Sequence, residues 1–147
     1  MRASLCALMI LPTIAIAADS SAPTHMIAAI ESFVGPSYRV ELVDKDHVLY
    51  SVNERTFTSA ESTVRTQIEV SSQRWAQFRE HLETLHVWSW NASYSDPRVR
   101  DGASWIFDVA FSDRRMNSQG NNAYPDTKQF DAWRKSIGEL VDGRPFH

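Results

Sequence analysis

Apolar residues recur at two different periods along the chain, and each period predicts a different kind of element. Residues 71–85, SSQRWAQFREHLETL, carry apolar side chains at intervals of three and four, the period of an amphipathic helix. Ser71 or Ser72 is a suitable N-cap, because a serine hydroxyl accepts from the free backbone N–H groups of a first turn. The predicted apolar stripe consists of Trp75, Phe78, Leu82 and Leu85.

The same period returns in residues 126–141, DTKQFDAWRKSIGELV. Asp126 with Gln129 three residues later forms a capping box at the start, and Gly143 with Pro145 favours an end soon after residue 141. The predicted stripe consists of Phe130, Trp133, Ile137, Leu140 and Val141. The pattern therefore predicts a second amphipathic helix that closes the chain.

Between the helices the apolar residues alternate with polar ones, which predicts β-strands. The predicted strands lie in 38–50 (a hairpin around Asp44-Lys45-Asp46), 63–70, 86–90, 104–112 and 114–118. In 63–70, the inward positions are Val64, Ile68 and Val70. In 86–90, Trp88 and Trp90 share one face.

Residues 25–35 differ, because Met26, Ile30 and Phe33 lie at near-helical spacing before Gly35-Pro36, which predicts a short helix. Strands followed by a helix, twice over, describe an α+β domain. The expected fold is an antiparallel β-sheet of about five or six strands with two amphipathic helices packed on one face.

The N-terminus has the layout of a secretory signal peptide. Arg2 precedes an apolar run from Leu5 to Ile16, and Ala15-Ile16-Ala17 supplies small residues around a cleavage position. The run is too short to span a bilayer. We therefore expect residues 1–17 to be a signal peptide, 18–35 a polar tail and short helix, and 36–147 one α+β domain.

Composition narrows the function of the remaining chain. Without residues 1–17, the formal charge changes from 15 minus 18 to 14 minus 18, or −4, and the only cysteine, Cys6, is lost. This excludes disulfides, thiol nucleophiles and thiolate metal sites. The mild acidity argues against a nucleic-acid partner.

Motifs for phosphate binding, zinc-dependent hydrolysis and serine hydrolysis are absent from the sequence. The histidines are His25, His47, His81, His86 and His147, and none is spaced as a metal ligand on one helix face. Asp108 falls on the polar face of its strand, which favours a solvated role. We therefore expect no cofactor, no metal site and no assigned catalytic residue.

The most distinctive stretches are DGASW (101–105) and SQGNNAYP (118–125), both of which combine turn residues with aromatic residues. We interpret them as turns at the ends of adjacent strands, in which Gly102 supplies positive φ and Gly120, Asn121 and Asn122 tolerate left-handed backbone. Their strand ends should meet at one edge of the sheet. The candidate ligand-binding residues there are Tyr94, Asp96, Arg98, Asp101, Asn121, Asn122 and Tyr124.

These stretches also carry a resemblance. The pattern V-W-x-W-x-x-x-Y, D-G-x-x-W and G-x-N-A-Y-P with a closing helix resembles one in uncharacterised exported bacterial proteins. It covers roughly the second half of the mature chain. The resemblance implies a bacterial source and hence a periplasmic or secreted protein, and it implies no activity.

Three function hypotheses remain. The first is an exported binding or interaction domain whose partner is another exported protein or an envelope component. The second is a small periplasmic hydrolase that uses Asp96 or Asp101 with a histidine. The third is a carbohydrate-binding module that stacks sugars on Trp88, Trp90 and Trp105, although large aromatics on strands are typical of a core.

Overall fold

The computed structural model describes residues 21–54, 63–99 and 102–147. The predicted signal peptide and Asp101 lie outside these residues. The described elements, in chain order, are β1 (His25–Ser32), β2 (Ser37–Asp44), β3 (His47–Asn53), β4 (Thr63–Glu69), α1 (Ser72–Thr84), a 3-10 turn (Val87–Ser89), β5 (Ser93–Ser95), β6 (Ala103–Ala110), β7 (Arg115–Asn121) and α2 (Thr127–Leu140). Within them, no helix is long and apolar enough to cross a membrane.

The strands form one sheet in the order β4-β3-β2-β1-β6-β7-β5. Every pairing is antiparallel except that of β5 with β7, which is parallel. The α+β class is thus confirmed, with seven strands instead of five or six. The additional strands are β1, predicted as a helix, and β5, a three-residue strand in the loop before β6.

Both helices cover the same face of the sheet. Alternate residues of the central strands point into one core, as in Ile30 of β1, which lies opposite Trp105 of β6. The buried side chains of α1 and α2 join this core, and the two helices contact each other. We call this the covered face, and the opposite one the open face.

The helix ends follow the predicted capping. Ser71 accepts a hydrogen bond from the backbone N–H of Arg74 at the start of α1. Asp126 accepts from the backbone N–H groups of Lys128 and Gln129 at the start of α2. Gly143 has φ of +73° just beyond the second helix, the left-handed conformation that glycine adopts readily.

Three local predictions were wrong. Residues 25–32 form the central strand β1, in which Met26, Ala28 and Ile30 face the core, instead of a helix. Residues 87–89 form a 3-10 turn where a strand was expected, because His86 adopts a left-handed conformation that breaks extended backbone. Val64 is 59% exposed near the start of the edge strand β4, where an inward position was predicted.

Candidate functional site

Residues 102–105 of DGASW and residues 118–125, SQGNNAYP, meet at one end of the sheet, as their positions on adjacent strands predicted. The backbone N–H of Asn122 donates to the carbonyl of Ala103 at 2.9 Å. The side chain of Asn122 donates to the carbonyl of Val99 at 3.0 Å and to the Asn121 side chain at 2.9 Å. The two stretches are therefore joined by backbone and side-chain hydrogen bonds.

Trp105 is the centre of this junction. Its indole ring is 1% exposed, and its Nε1–H donates to the carbonyl of Ala123 at 2.9 Å. Phe130 packs against it with ring centroids 5.0 Å apart. Trp105 is therefore a core residue whose one polar atom is satisfied by the facing loop.

The two glycines of the motifs allow this close approach. A Cβ atom at Gly120 would lie 2.1 Å from Trp105 Nε1 and 2.4 Å from the carbonyl oxygen of Ala123. A Cβ at Gly102 would lie 1.5 Å from the side-chain oxygen of Asn122. Of the four positions in these turns that were predicted to adopt or tolerate positive φ, namely Gly102, Gly120, Asn121 and Asn122, only Asn122 has it, at 54°. The expectation of positive φ at Gly102 was wrong. Glycine is needed there because any side chain would overlap the side chain of Asn122.

The other tryptophans also contribute to the core. Trp90 packs edge-on against Trp105, with centroids 6.0 Å apart, and against Trp133 at 6.1 Å. Trp88 is partly buried, packs against Phe111 and carries the Arg114 guanidinium 5.2 Å from its ring centroid. An open stacking surface for a sugar would need exposed ring faces, which Trp90 and Trp105 do not present.

The acidic candidate Asp96 is held by a neighbouring arginine. Arg98 donates to its carboxylate from Nε at 2.9 Å, from Nη2 at 2.8 Å and from its backbone N–H at 3.1 Å. These donors lower the pKa of Asp96 below its usual value. A carboxylate held ionised in this way is poorly suited to act as a general acid.

The candidate Tyr94 lies on β5, opposite Gly120 of β7. Its hydroxyl accepts from the backbone N–H of Asn91 at 2.9 Å, and its ring lies 5.8 Å from that of Trp105. Tyr94 is therefore partly buried against Trp105, and its hydroxyl stabilises the segment between the 3-10 turn and β5.

Among the described residues, histidine and aspartate do come together, but away from this end. Nε2 of His25 lies 3.2 Å from the Asp108 carboxylate on the open face, without hydrogen-bond alignment, and Arg115 also pairs with Asp108. His47 contacts Asp44 at the β2–β3 turn. In the described ranges, no group of three or more acidic, histidine or cysteine side chains could hold a metal ion.

Exposed apolar side chains are a feature of this end of the sheet, and of these the sequence patterns had selected only Tyr124 as a site residue. Across the described residues, the exposed large apolar side chains are Phe33, Val34, Val43, Val64, Val99 and Tyr124. The backbone N–H of Phe33 donates to the carbonyl of Gly102, and Val99 accepts from Asn122. Four of the six therefore lie around the motif junction.

We call this surface the loop end and define it by the apolar residues Phe33, Val34, Val99 and Tyr124 and the amides Asn121 and Asn122. Phe33, Asn121 and Asn122 also line a shallow cavity of about 220 Å³ together with Gly102. Phe33 and Val34 belong to the β1–β2 loop, so only the fold brings them to the motifs. Of the predicted site residues, Asn121, Asn122 and Tyr124 belong to the loop end itself, and Asp96 adjoins it through its backbone N–H bond to Asn121.

No protein-family model and no curated protein matches this chain. The resemblance to uncharacterised exported bacterial proteins therefore stays a prediction.

Proposed function

We propose that this protein is an exported binding domain that recognises another exported protein or an envelope component through its loop end. The observation that carries the proposal is the cluster of exposed apolar side chains there, with Val34 81% and Phe33 59% exposed. Clustered apolar exposure is typical of interaction surfaces, whereas isolated apolar residues are common on any protein. Export and a bacterial source rest on the sequence pattern of residues 1–17 and on the motif resemblance.

The loop end has the anatomy of a small recognition surface. Its apolar side chains adjoin the amides of Asn121 and Asn122. A partner would find contact area and the Nδ2 group of Asn121, whereas Nδ2 of Asn122 is already bonded to Val99 and Asn121. The surface rests on the junction around Trp105, which holds three loops in fixed positions. A rigid support reduces the conformational entropy that is lost when a partner binds.

The experiment is affinity capture from an envelope extract with the mature protein as bait, followed by mass spectrometry. The loop-end variant carries Phe33→Ser and Val34→Ser. The matched control carries Val43→Ser, which changes an exposed valine near the β2–β3 turn at the other end of the sheet. All three baits are compared at equal amounts after their melting temperatures have been checked.

We expect wild type and the Val43→Ser control to capture the same protein, and the loop-end variant to lose it. Capture that survives both loop-end substitutions would contradict the proposal, and so would an equal loss in the control. Enrichment of no protein above empty resin would also count against it.

A further inference from the structure

A pocket on the open face of the sheet is a second candidate site, which shares only Glu31 with the cavity at the loop end. Although no described helix covers this face, Ala29 of β1, Ser37 of β2 and Ser51 of β3 are all buried. Longer neighbouring side chains surround these small ones, which leaves a cavity of about 390 Å³. We call it the open-face pocket.

The floor of the pocket contains a polar side chain, Ser51. Ser51 is 9% exposed, and within the described chain its hydroxyl makes no hydrogen bond. The hydroxyl opens onto the cavity, so it is available to a polar group of a ligand there. Because Ser51 alternates with the core residue Tyr50 along β3, its side chain faces the pocket.

Two arginines flank this serine. Ser51 pairs directly with Arg39 of β2 on one side and with Arg65 of β4 on the other. Arg39 is neutralised by Glu41 at 2.8 Å. Arg65 forms no ion pair or hydrogen bond with the described residues. Its guanidinium and the Ser51 hydroxyl together offer several donors to one anionic group.

The opposite wall is acidic. Glu31 of β1 lines the pocket and accepts one hydrogen bond, at 3.3 Å, from the Ser104 hydroxyl. Arg65 is in register with Ala29 of β1, three strand spacings or about 14 Å away, and Glu31 lies two residues further along β1, so the backbones of Glu31 and Arg65 are about 16 Å apart. Both side chains are long enough to narrow that gap. An extended dipeptide, about 7 Å long, would fit between their charged ends.

We propose that the open-face pocket binds a short zwitterionic peptide. Its carboxylate contacts Arg65 and the Ser51 hydroxyl, and its ammonium group contacts Glu31. Leu49, which also lines the cavity, contacts the peptide side chains. Glu31 also lines the shallow cavity at the loop end, but Ser51 and Arg65 do not, so loss of peptide binding in an Arg65 variant tests this proposal separately from the proposed function.

The test is an NMR titration of the protein with three probes. Alanyl-alanine carries both charges, N-acetyl-alanyl-alanine lacks the ammonium group, and alanyl-alanine amide lacks the carboxylate. We expect alanyl-alanine to shift the backbone amides of Ala29, Ser51 and Arg65 in a saturable way. Each blocked peptide should bind at least about tenfold more weakly, as expected from the loss of one charged contact.

Variants of Arg65 and Glu31 test which residue contacts the carboxylate of the peptide and which contacts its ammonium group. Arg65→Gln should reduce alanyl-alanine binding to the level of the amide, and Glu31→Gln should reduce it to the level of the acetylated peptide. Arg115→Gln, on the open face at β7, is the control and should leave binding unchanged. Arg65 is exposed and unpartnered, so its variant should fold normally.

The proposal is overturned if alanyl-alanine produces no saturable shift. It is equally overturned if all three probes bind alike, or if Arg65→Gln binds alanyl-alanine as well as wild type does.

Discussion

The motif junction, where residues 102–105 meet residues 118–125, lies beside the loop end. Residues of the junction make their contacts inside the protein, whereas the apolar side chains of the loop end are exposed to solvent. Trp105, Gly120 and Asn122 are distinctive in the sequence, and their contacts are made inside the protein. Phe33 and Val34 are ordinary in the sequence, and their side chains remain exposed. Residues that form a recognisable sequence motif can therefore serve to hold loops in place, while the exposed binding surface on those loops is formed by residues without a motif.

Among the variants that test this comparison, Trp105→Ala should have the largest effect on stability. Removing this buried ring should lower the free energy of unfolding by about 3–5 kcal/mol, because it leaves a cavity and an unpaired carbonyl at Ala123. Chemical denaturation measures the loss. Phe33→Ser, the control from the exposed group, should change stability by no more than about 0.5 kcal/mol. Similar losses in the two variants would erase the distinction.

Gly120→Ala tests the close approach without removing any contact. The added methyl group would overlap the indole of Trp105 and the backbone of Ala123, so we expect a loss of about 1–3 kcal/mol. Gln119→Ala, at the exposed neighbouring position on β7, serves as control and should be nearly neutral. Thermal melting of both variants decides: an unchanged midpoint for Gly120→Ala would show that the contact is loose.

Asn122→Ala should have a smaller effect, about 1–2 kcal/mol. The substitution removes the hydrogen bond to Val99 and places alanine at φ of 54°, where asparagine is tolerated better. Asn122→Gly separates the two causes, since glycine accepts this φ but lacks the hydrogen bond. Denaturation curves should place the glycine variant between wild type and alanine. A glycine variant less stable than the alanine variant would contradict this explanation.

The smallest expected effect concerns Asp96, where the loop end meets β5. Its folded pKa is lowered by Arg98, so this contact stabilises the fold above the unfolded pKa of the aspartate, and the contribution is lost as the pH falls through the lowered folded value. Arg98→Gln should raise the Asp96 pKa toward its usual value, as an NMR titration would show. The same pKa in wild type and variant would mean that Arg98 is not the cause.

Local patterns predicted the parts of the fold that local contacts determine. The stripe of α2 and the cap at Asp126 follow from residues within a few positions of each other. The hairpin around Asp44-Lys45-Asp46 is equally local, and it forms as predicted between β2 and β3. Both elements would be expected from their own segments alone.

The errors arose where distant contacts override local spacing. Met26, Ile30 and Phe33 match a helical period, but Ala28 also faces the core and Ala29 is buried on the open face. A central strand that is buried on both sides does not alternate clearly between apolar and polar residues. Its partners, β2 and β6, could not be known from its own segment.

The candidate site was predicted only in part for the same reason. Asn121, Asn122 and Tyr124 could be selected because turn chemistry makes them visible in the sequence. Phe33 enters the site through a backbone hydrogen bond to Gly102, some 70 positions further along the chain. The open-face pocket likewise requires β1, β2, β3 and β4 to be in register, and no single segment carries that information.

Hydrogen exchange of the Trp105 indole N–H in the native protein tests the central claim most directly, namely that the motif residues serve the structure from inside. The group is buried and bonded to the carbonyl of Ala123, so we expect it to exchange only through global unfolding, as slowly as the most protected amides of β6. Exchange at the rate of an exposed indole would contradict the account, because the loop of residues 121–125 would then not be locked onto Trp105.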